Sequence, residues 1–129
     1  MKQIIIDTNF LLIPGQFKVD IFSEFERVCD FPYKLCVLDK SVAELEKIVK
    51  GQKGKDKDAA KLALSLAKAK KVAVLKTKGS LNVDSELVEQ GKKGCIVATQ
   101  DNGLKARLKA VGASVITLRQ RKYLIMAEG

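Results

Sequence analysis

Four acidic residues stand where they could act together. Asp7 directly follows QIII, Glu44 lies in SVAELE, Asp84 in NVDSELV and Asp101 in VATQDNGLKARL. A carboxylate abutting a run of isoleucines is costly to bury unless something offsets its charge. Four carboxylates drawn together would also repel one another strongly. A hard divalent cation resolves that repulsion, and carboxylates with water are the ligands that Mg²⁺ or Mn²⁺ prefers. Each acid has a structural alternative. Ser41 and Glu44 fit the S-x-x-E capping box, Asp84 and Asp101 are natural helix N-caps, and Asp7 could cap a short turn. Of the four, Asp7 is hardest to account for as a cap alone. Helix phase does not separate Glu44 from Glu46, because both flank the apolar stripe at similar angles.

The rest of the composition narrows the chemistry. The sequence has no His, which removes His-based zinc sites, Ser–His and Cys–His catalysis, and any imidazole acid–base role. Cys29, Cys36 and Cys95 form neither a CxxC pair nor an even disulfide set, and the apolar runs around Cys36 and Cys95 suit small buried thiols. A formal net charge of +9 points toward a polyanion, of which nucleic acid is the commonest in a cytoplasm. No apolar run approaches the roughly 20 residues that cross a bilayer. The N-terminal apolar stretch is broken by Asp7 and lacks a small-residue cleavage site, so a cytoplasmic location without membrane attachment is expected.

The elements that must position these acids alternate along the chain. Residues 3–6, 34–38, 72–75, 95–99 and 114–118 read as buried strands. Helical spacing marks 18–29, a helix opened by Ser41, the Ala- and Leu-rich 59–71, a short helix at 83–92 and one starting near Asp101. GQKGKDKD (51–58) reads as a flexible charged connection. The alternation predicts one α/β domain over 1–129, a three-layer α/β/α arrangement with a twisted, mostly parallel sheet of about five strands. In such sheets ligands bind outside the carboxyl ends of the strands, near the switch in strand order. The four acids fall at strand ends or nearby helix starts, where that sheet would gather them.

Together, IIIDTNFLL, VAELEKI, VDSELVE and VATQDNGLKARL resemble the PIN domain, a family of metal-dependent ribonucleases, and the resemblance runs from the first strand to the last. ATQDNGLKARL and ITLRQRKYL look closest to archaeal relatives of the PIN nucleases that process small-subunit ribosomal RNA. The resemblance implies that Asp7, Glu44, Asp84 and Asp101 are catalytic and hold one or two Mg²⁺ or Mn²⁺ ions. It selects Glu44 over Glu46, and it implies supporting hydrogen bonds from Asn9 and Thr99. Many relatives carry a further acid just after the Asp84 or Asp101 position. This chain has Ser85, Asn102 and Gly103 there, which implies weaker holding of a second ion.

Such a site hydrolyses a phosphodiester by in-line attack of a water that the cation acidifies, leaving a 5′-phosphate and a 3′-hydroxyl. RNA must be drawn to an acidic pocket by basic surroundings. Lys105, Arg107 and Lys109 follow Asp101, and Arg119, Arg121 and Lys122 cluster near the C-terminal end. On a helical wheel Lys57, Lys61, Lys68 and Lys71 form one stripe opposite Leu62, Leu66 and Ala69, with Leu64 inside it as a mark of protein contact. A solvated lysine face is the plainer account of that stripe. Tyr33 and Tyr123 are the candidates for base stacking, although packing or capping of a strand suits Tyr33 better. The expected function is a metal-dependent endoribonuclease in rRNA processing or RNA turnover. The alternatives are a toxin-type PIN ribonuclease silenced by an antitoxin, and a catalytically weak RNA-binding scaffold. Besides RNA, the partners to consider are a second copy of the chain, a ribosome-biogenesis protein or the antitoxin. A phosphotransfer receiver domain would need an acidic pair after the first strand, and here Asp7 is followed by Thr8.

Overall fold

The computed structural model describes residues 1–129. Six strands form one sheet: β1 (Lys2–Ile6), β2 (Tyr33–Leu38), β3 (Ala73–Leu75), β4 (Ile96–Ala98), β5 (Val115–Arg119) and β6 (Tyr123–Ala127). Their order is β3-β2-β1-β4-β5-β6, the first five running parallel and β6 returning antiparallel beside β5. The chain steps outward from β1 to β2 and β3, then crosses back to β4 on the other flank of β1. Strand order therefore reverses between β1 and β4, which opens a crevice at their carboxyl ends.

The seven helices are α1 (Thr8–Leu11), α2 (Ile13–Phe17), α3 (Ile21–Val28), α4 (Asp39–Gly51), α5 (Lys55–Ala69), α6 (Val83–Lys92) and α7 (Asn102–Ala110). Successive strand residues point to opposite faces, so QIII serves two cores at once. Ile4 and Ile6 pack with Phe10, Phe25, Leu45 and Ala60 of the helices on one face. Ile5 packs with Leu87, Leu104 and Leu108 of α6 and α7 on the other. This is the three-layer arrangement that the alternation of elements predicts.

Several local expectations need correction. β6 was not expected, because the turn before it lacks the usual residues. Gln120 and Arg121 both adopt positive φ, 52° and 54°, and Lys122 N–H donates to Arg119 O at 3.0 Å. Asn-Gly or Asp-Gly is the normal signal for two such positions. The helices α1 and α2 are only four and five residues long, too short to show a helical period. Within the stretch expected as a flexible connection, α5 already begins at Lys55.

The wheel also mistook the inner face of α5. Leu62 is 40% exposed, and Ala69 is exposed too. The buried residues are Ala59, Ala60 and Ala63, with Leu64 and Leu66 packed at the core's edge. Leu64 therefore needs no protein partner to explain it. Small residues are required because α2 crosses closely: a Cβ on Gly15 would lie 2.6 Å from Ala59 Cα. Side-chain size, rather than apolarity, sets this interface.

Candidate active site

The carboxyl ends of β1 and β4 are tied where strand order reverses. Asp7 N–H donates to Ala98 O at 2.9 Å, which fixes the residue after β1 against β4. Asp7 then caps α1, its Oδ1 accepting from Thr8 N–H at 2.8 Å. On the other side, Thr99 Oγ1 donates to Asp7 Oδ2 at 2.8 Å and accepts from Asp101 N–H at 3.1 Å. One hydroxyl thus holds the carboxylate of Asp7 and the backbone of Asp101, the first and the last of the four acids. Gln100 secures the same turn, accepting from Thr117 Oγ1 and Leu118 N–H on β5. Asp101 is the N-cap of α7, with Oδ1 accepting from Leu104 N–H at 2.9 Å.

Two expected caps are absent. The helix α4 begins at Asp39, so Ser41 lies inside it, fully buried and with no hydrogen-bond partner for its Oγ. Glu44 does not reach back toward Ser41. Its Oε1 accepts from Thr8 Oγ1 at 2.6 Å, which aims it at the end of β1. At α6 the cap is Asn82, whose side chain accepts from Ser85 N–H at 2.8 Å. This leaves Asp84 in the first turn without a capping task. The capping-box explanation of Glu44 and the N-cap explanation of Asp84 both fail on these contacts.

Asp7, Glu44, Asp84 and Asp101 line one open cleft of about 350 Å³, together with Thr8, Asn9 and Lys47. Asp7 is 5% exposed, and it is the only acidic residue buried in the chain. Burial pushes its carboxyl above the ordinary value, and the carboxylates of Asp84 and Glu44 add to the rise. Hydrogen bonds from Thr99 and from the Thr8 N–H pull the other way. As the side chains stand, no three of the acids close on one point as a ligand cluster. Glu44 and Asp101 are exposed, so their rotamers can turn inward without disturbing the core. The donors fit a hard divalent cation. Glu44 Oε2, Asp101 Oδ2 and both Asp84 oxygens accept no hydrogen bond. Each Asp7 oxygen accepts one and retains a lone pair.

Thr8 and Lys47 are the polar cleft residues to which the sequence assigned no role. Thr8 follows Asp7, and Lys47 lies three residues after Glu44 on the same helical face; either spacing could have marked them. Glu46 does not line the cleft, and neither do Lys57, Lys61 or Lys68 of α5. Arg107 Nη2 donates to Ser85 Oγ at 3.1 Å, beside Asp84. Lys105, Lys109 and Arg119 line a separate groove of about 450 Å³ on the β5–β6 flank. There burial lowers the Lys105 ammonium, Arg119 lowers it further, and Asp101 opposes them. At the β5–β6 turn, Arg121 stands 5.4 Å over the Phe17 ring, and Lys122 shares a shallow hollow with both. Tyr33 packs against the first core, whereas Tyr123 is 38% exposed.

The family model described as PIN like domain matches residues 4–121. The chain is 30% identical over 125 residues to Ribonuclease VapC4 of Methanocaldococcus jannaschii, covering 95% of each. It is 32% identical over 124 residues to Ribonuclease VapC9 of Archaeoglobus fulgidus, covering 95% of this chain and 87% of the relative. Among solved structures, the PIN domain endonuclease Utp24 superposes with a TM-score of 0.79 at 26% identity, covering 98% of this chain and 92% of the other. A domain of a functionally unknown protein from Methanocaldococcus jannaschii superposes with a TM-score of 0.62 at 18% identity, over 92% of each chain. This last likeness speaks for the fold alone.

Proposed function

Because the chain belongs to the PIN-like domain family, we propose that it is a Mg²⁺- or Mn²⁺-dependent endoribonuclease acting in rRNA processing or RNA turnover. The observation that carries this reading is the convergence of Asp7, Glu44, Asp84 and Asp101 on one cleft. The relatives described as ribonucleases and as an endonuclease support it.

The four acids are the groups that would hold one or two ions. A bound divalent cation supplies positive charge that acidifies a water and stabilises the oxygens of a phosphodiester under attack. The protein's own residues supply the positioning. Thr99 and the Thr8 N–H fix both oxygens of Asp7, and Thr8 Oγ1 orients Glu44. In a chain without His, the carboxylates are also the groups available to accept a proton from the attacking water. Asn9, in the same cleft, can donate its amide to a carboxylate or to substrate. The cations of the β5–β6 groove, the lysines of α5, Arg107, Arg121 and Lys122 are the surface groups proposed to gather RNA. The proposed place of action is the cytoplasm.

The two relatives named as VapC ribonucleases favour a second reading, a toxin-type ribonuclease with an antitoxin partner. A short antitoxin-like reading frame directly upstream would select it. For the activity itself, purified protein is incubated with structured and single-stranded RNA in Mn²⁺ or in EDTA. Cleavage in Mn²⁺ alone, leaving 5′-phosphate ends, is expected. A protein that cuts neither RNA, or that cuts equally well in EDTA, overturns the proposal.

A further inference from the structure

The acid cleft continues past Glu44 and Asp84. It opens into a second hollow of about 460 Å³ that shares Glu44, Lys47, Val83 and Asp84 with it and adds Lys40, Ala43 and Asn82. On α4, Lys40, Glu44 and Lys47 stand at i, i+4 and i+7, so one helical face places a lysine on each side of the acid. The small Ala43 side chain leaves the floor between them open. The facing wall is the segment that leads into α6.

That wall is clasped to α4. Asp39 accepts from the Thr77 N–H at 3.2 Å and from Thr77 Oγ1 at 2.8 Å, and Lys40 Nζ donates to Leu81 O. The two lysines therefore differ in what their ammonium groups do. Lys40 is engaged in holding the wall. Lys47 makes no hydrogen bond and no ion pair, for the ion pairs of the molecule are Arg27–Glu24 and Lys92–Glu89. An ordinary Glu44–Lys47 pair one turn apart on the helix would be the structural use of this lysine, and it is not made.

We infer that the hollow between α4 and the start of α6 is a subsite for the nucleic-acid strand, with Lys47 holding the phosphate next to the one at the acids. This rests on the ribonuclease reading above. A strand carries one negative charge per nucleotide, and an acidic cleft repels it unless a cation stands within reach. Lys47 is the one cation that lines the acid cleft itself. The Lys105–Lys109–Arg119 groove shares no residue with that cleft. An ammonium on a flexible stem suits a phosphate as a mobile point charge.

The test measures binding of a fluorescent single-stranded RNA by anisotropy in Ca²⁺ across a salt series, for the parent, Lys47→Gln, Lys47→Arg and Lys50→Gln. Lys50 lines neither hollow and controls for the loss of one positive charge. Lys47→Gln should weaken binding about threefold to fivefold at low salt and flatten the slope of log K against log salt by roughly 0.7. Lys47→Arg should restore most of both, and Lys50→Gln should stay near the parent. Equal behaviour of Lys47→Gln and Lys50→Gln, or of Lys47→Gln and the parent, overturns the subsite. Cleavage in Mn²⁺ is read on the same proteins. A parent that cuts RNA while Lys47→Gln binds like the parent sinks the subsite and leaves the nuclease. A parent that binds through Lys47 and never cuts sinks the nuclease and leaves the subsite.

Discussion

Thr99 donates its hydroxyl to Asp7 Oδ2 at 2.8 Å across 92 positions of sequence, and both residues are buried. Thr99 Oγ1 also accepts from Asp101 N–H, so the residue after β4 sets the place of two acids at once. Thr99→Val keeps the shape, removes the hydroxyl and leaves both partners short of a hydrogen bond. Loss of about 1–3 kcal/mol is expected, and a thermal melt of the metal-free protein measures it. Thr99→Ser keeps the hydroxyl and should fall well short of that loss. If valine and serine melt alike, the hydroxyl is not what holds the turn.

Asp7→Asn separates catalysis from folding. Asn keeps the size and the ability to accept from Thr8 N–H, and it removes the charge that a cation needs. RNA cleavage in Mn²⁺ should fall to background while circular dichroism shows an intact fold. The same outcome is expected of Asp101→Asn, since Asn also caps a helix well. Cleavage at the parent's rate in both variants would remove these residues from the site.

Acid titration gives a sign that can be checked without substrate. The Asp7 carboxyl is raised in the fold, by burial first and then by Asp84 and Glu44. Between its unfolded value near 3.8 and its raised folded value, the native state binds more protons than the unfolded chain. Asp7 therefore makes the metal-free protein lose stability as pH rises through that window, and the loss persists at neutral pH. Asp7→Asn should abolish this component and melt at or above the parent in EDTA at pH 7. Mn²⁺ should then raise the melting temperature of the parent, because it binds the folded chain in preference to the unfolded one. The variant should respond little. A parent indifferent to millimolar Mn²⁺ would count against a carboxylate metal site.

Asp20 has the opposite sign and stands apart from the cleft. It is the N-cap of α3, accepting from Phe22 N–H, Ser23 N–H and Ser23 Oγ. The Ser23 hydroxyl leads in lowering its carboxyl below the ordinary value. Its stabilising contribution is present above the unfolded value of 3.8 and is lost as pH falls toward the depressed folded value. Asp20→Ala should cost about 1 kcal/mol near neutrality, roughly 3–6 °C for a domain of this size. The gap between parent and variant should close below pH 3.8. A gap unchanged by acid would show that the charge contributes nothing.

The corrected face of α5 predicts a contrast between two leucines. Leu62→Gln should change stability by no more than about 0.5 kcal/mol, because that side chain is exposed. Leu64→Ala should cost about 1–2 kcal/mol, because Leu64 packs at the edge of the first core. Urea denaturation of the two variants checks both values, and the reverse order would restore the helical-wheel assignment.

A mostly parallel sheet, three layers and the gathering of four acids were legible in the sequence because they depend on local periodicity and on one topological rule, whereas the order of the strands was not. QIII followed by Asp7 signals a buried strand with a charge at its end. Alternating strands and helices admit few arrangements, and the parallel sheet among them places Asp7 and Asp101 at one edge. The sequence could not decide what each acid does, since S-x-x-E is equally a capping box. Only the tertiary structure shows Glu44 taken by Thr8, Ser41 buried inside α4 and Asn82 capping where Asp84 could have. It also decided β6, where two left-handed residues make a turn that their side chains do not advertise. It decided the inner face of α5, which packs Ala59, Ala60 and Ala63 inward and leaves Leu62 exposed, with Gly15 of α2 lying close against Ala59. Glu44 with Thr8 and Gly15 with Ala59 are contacts between residues far apart in the chain, which no pattern confined to one element carries. The Asn82 cap and the β5–β6 turn are local, but their residue types leave more than one choice open.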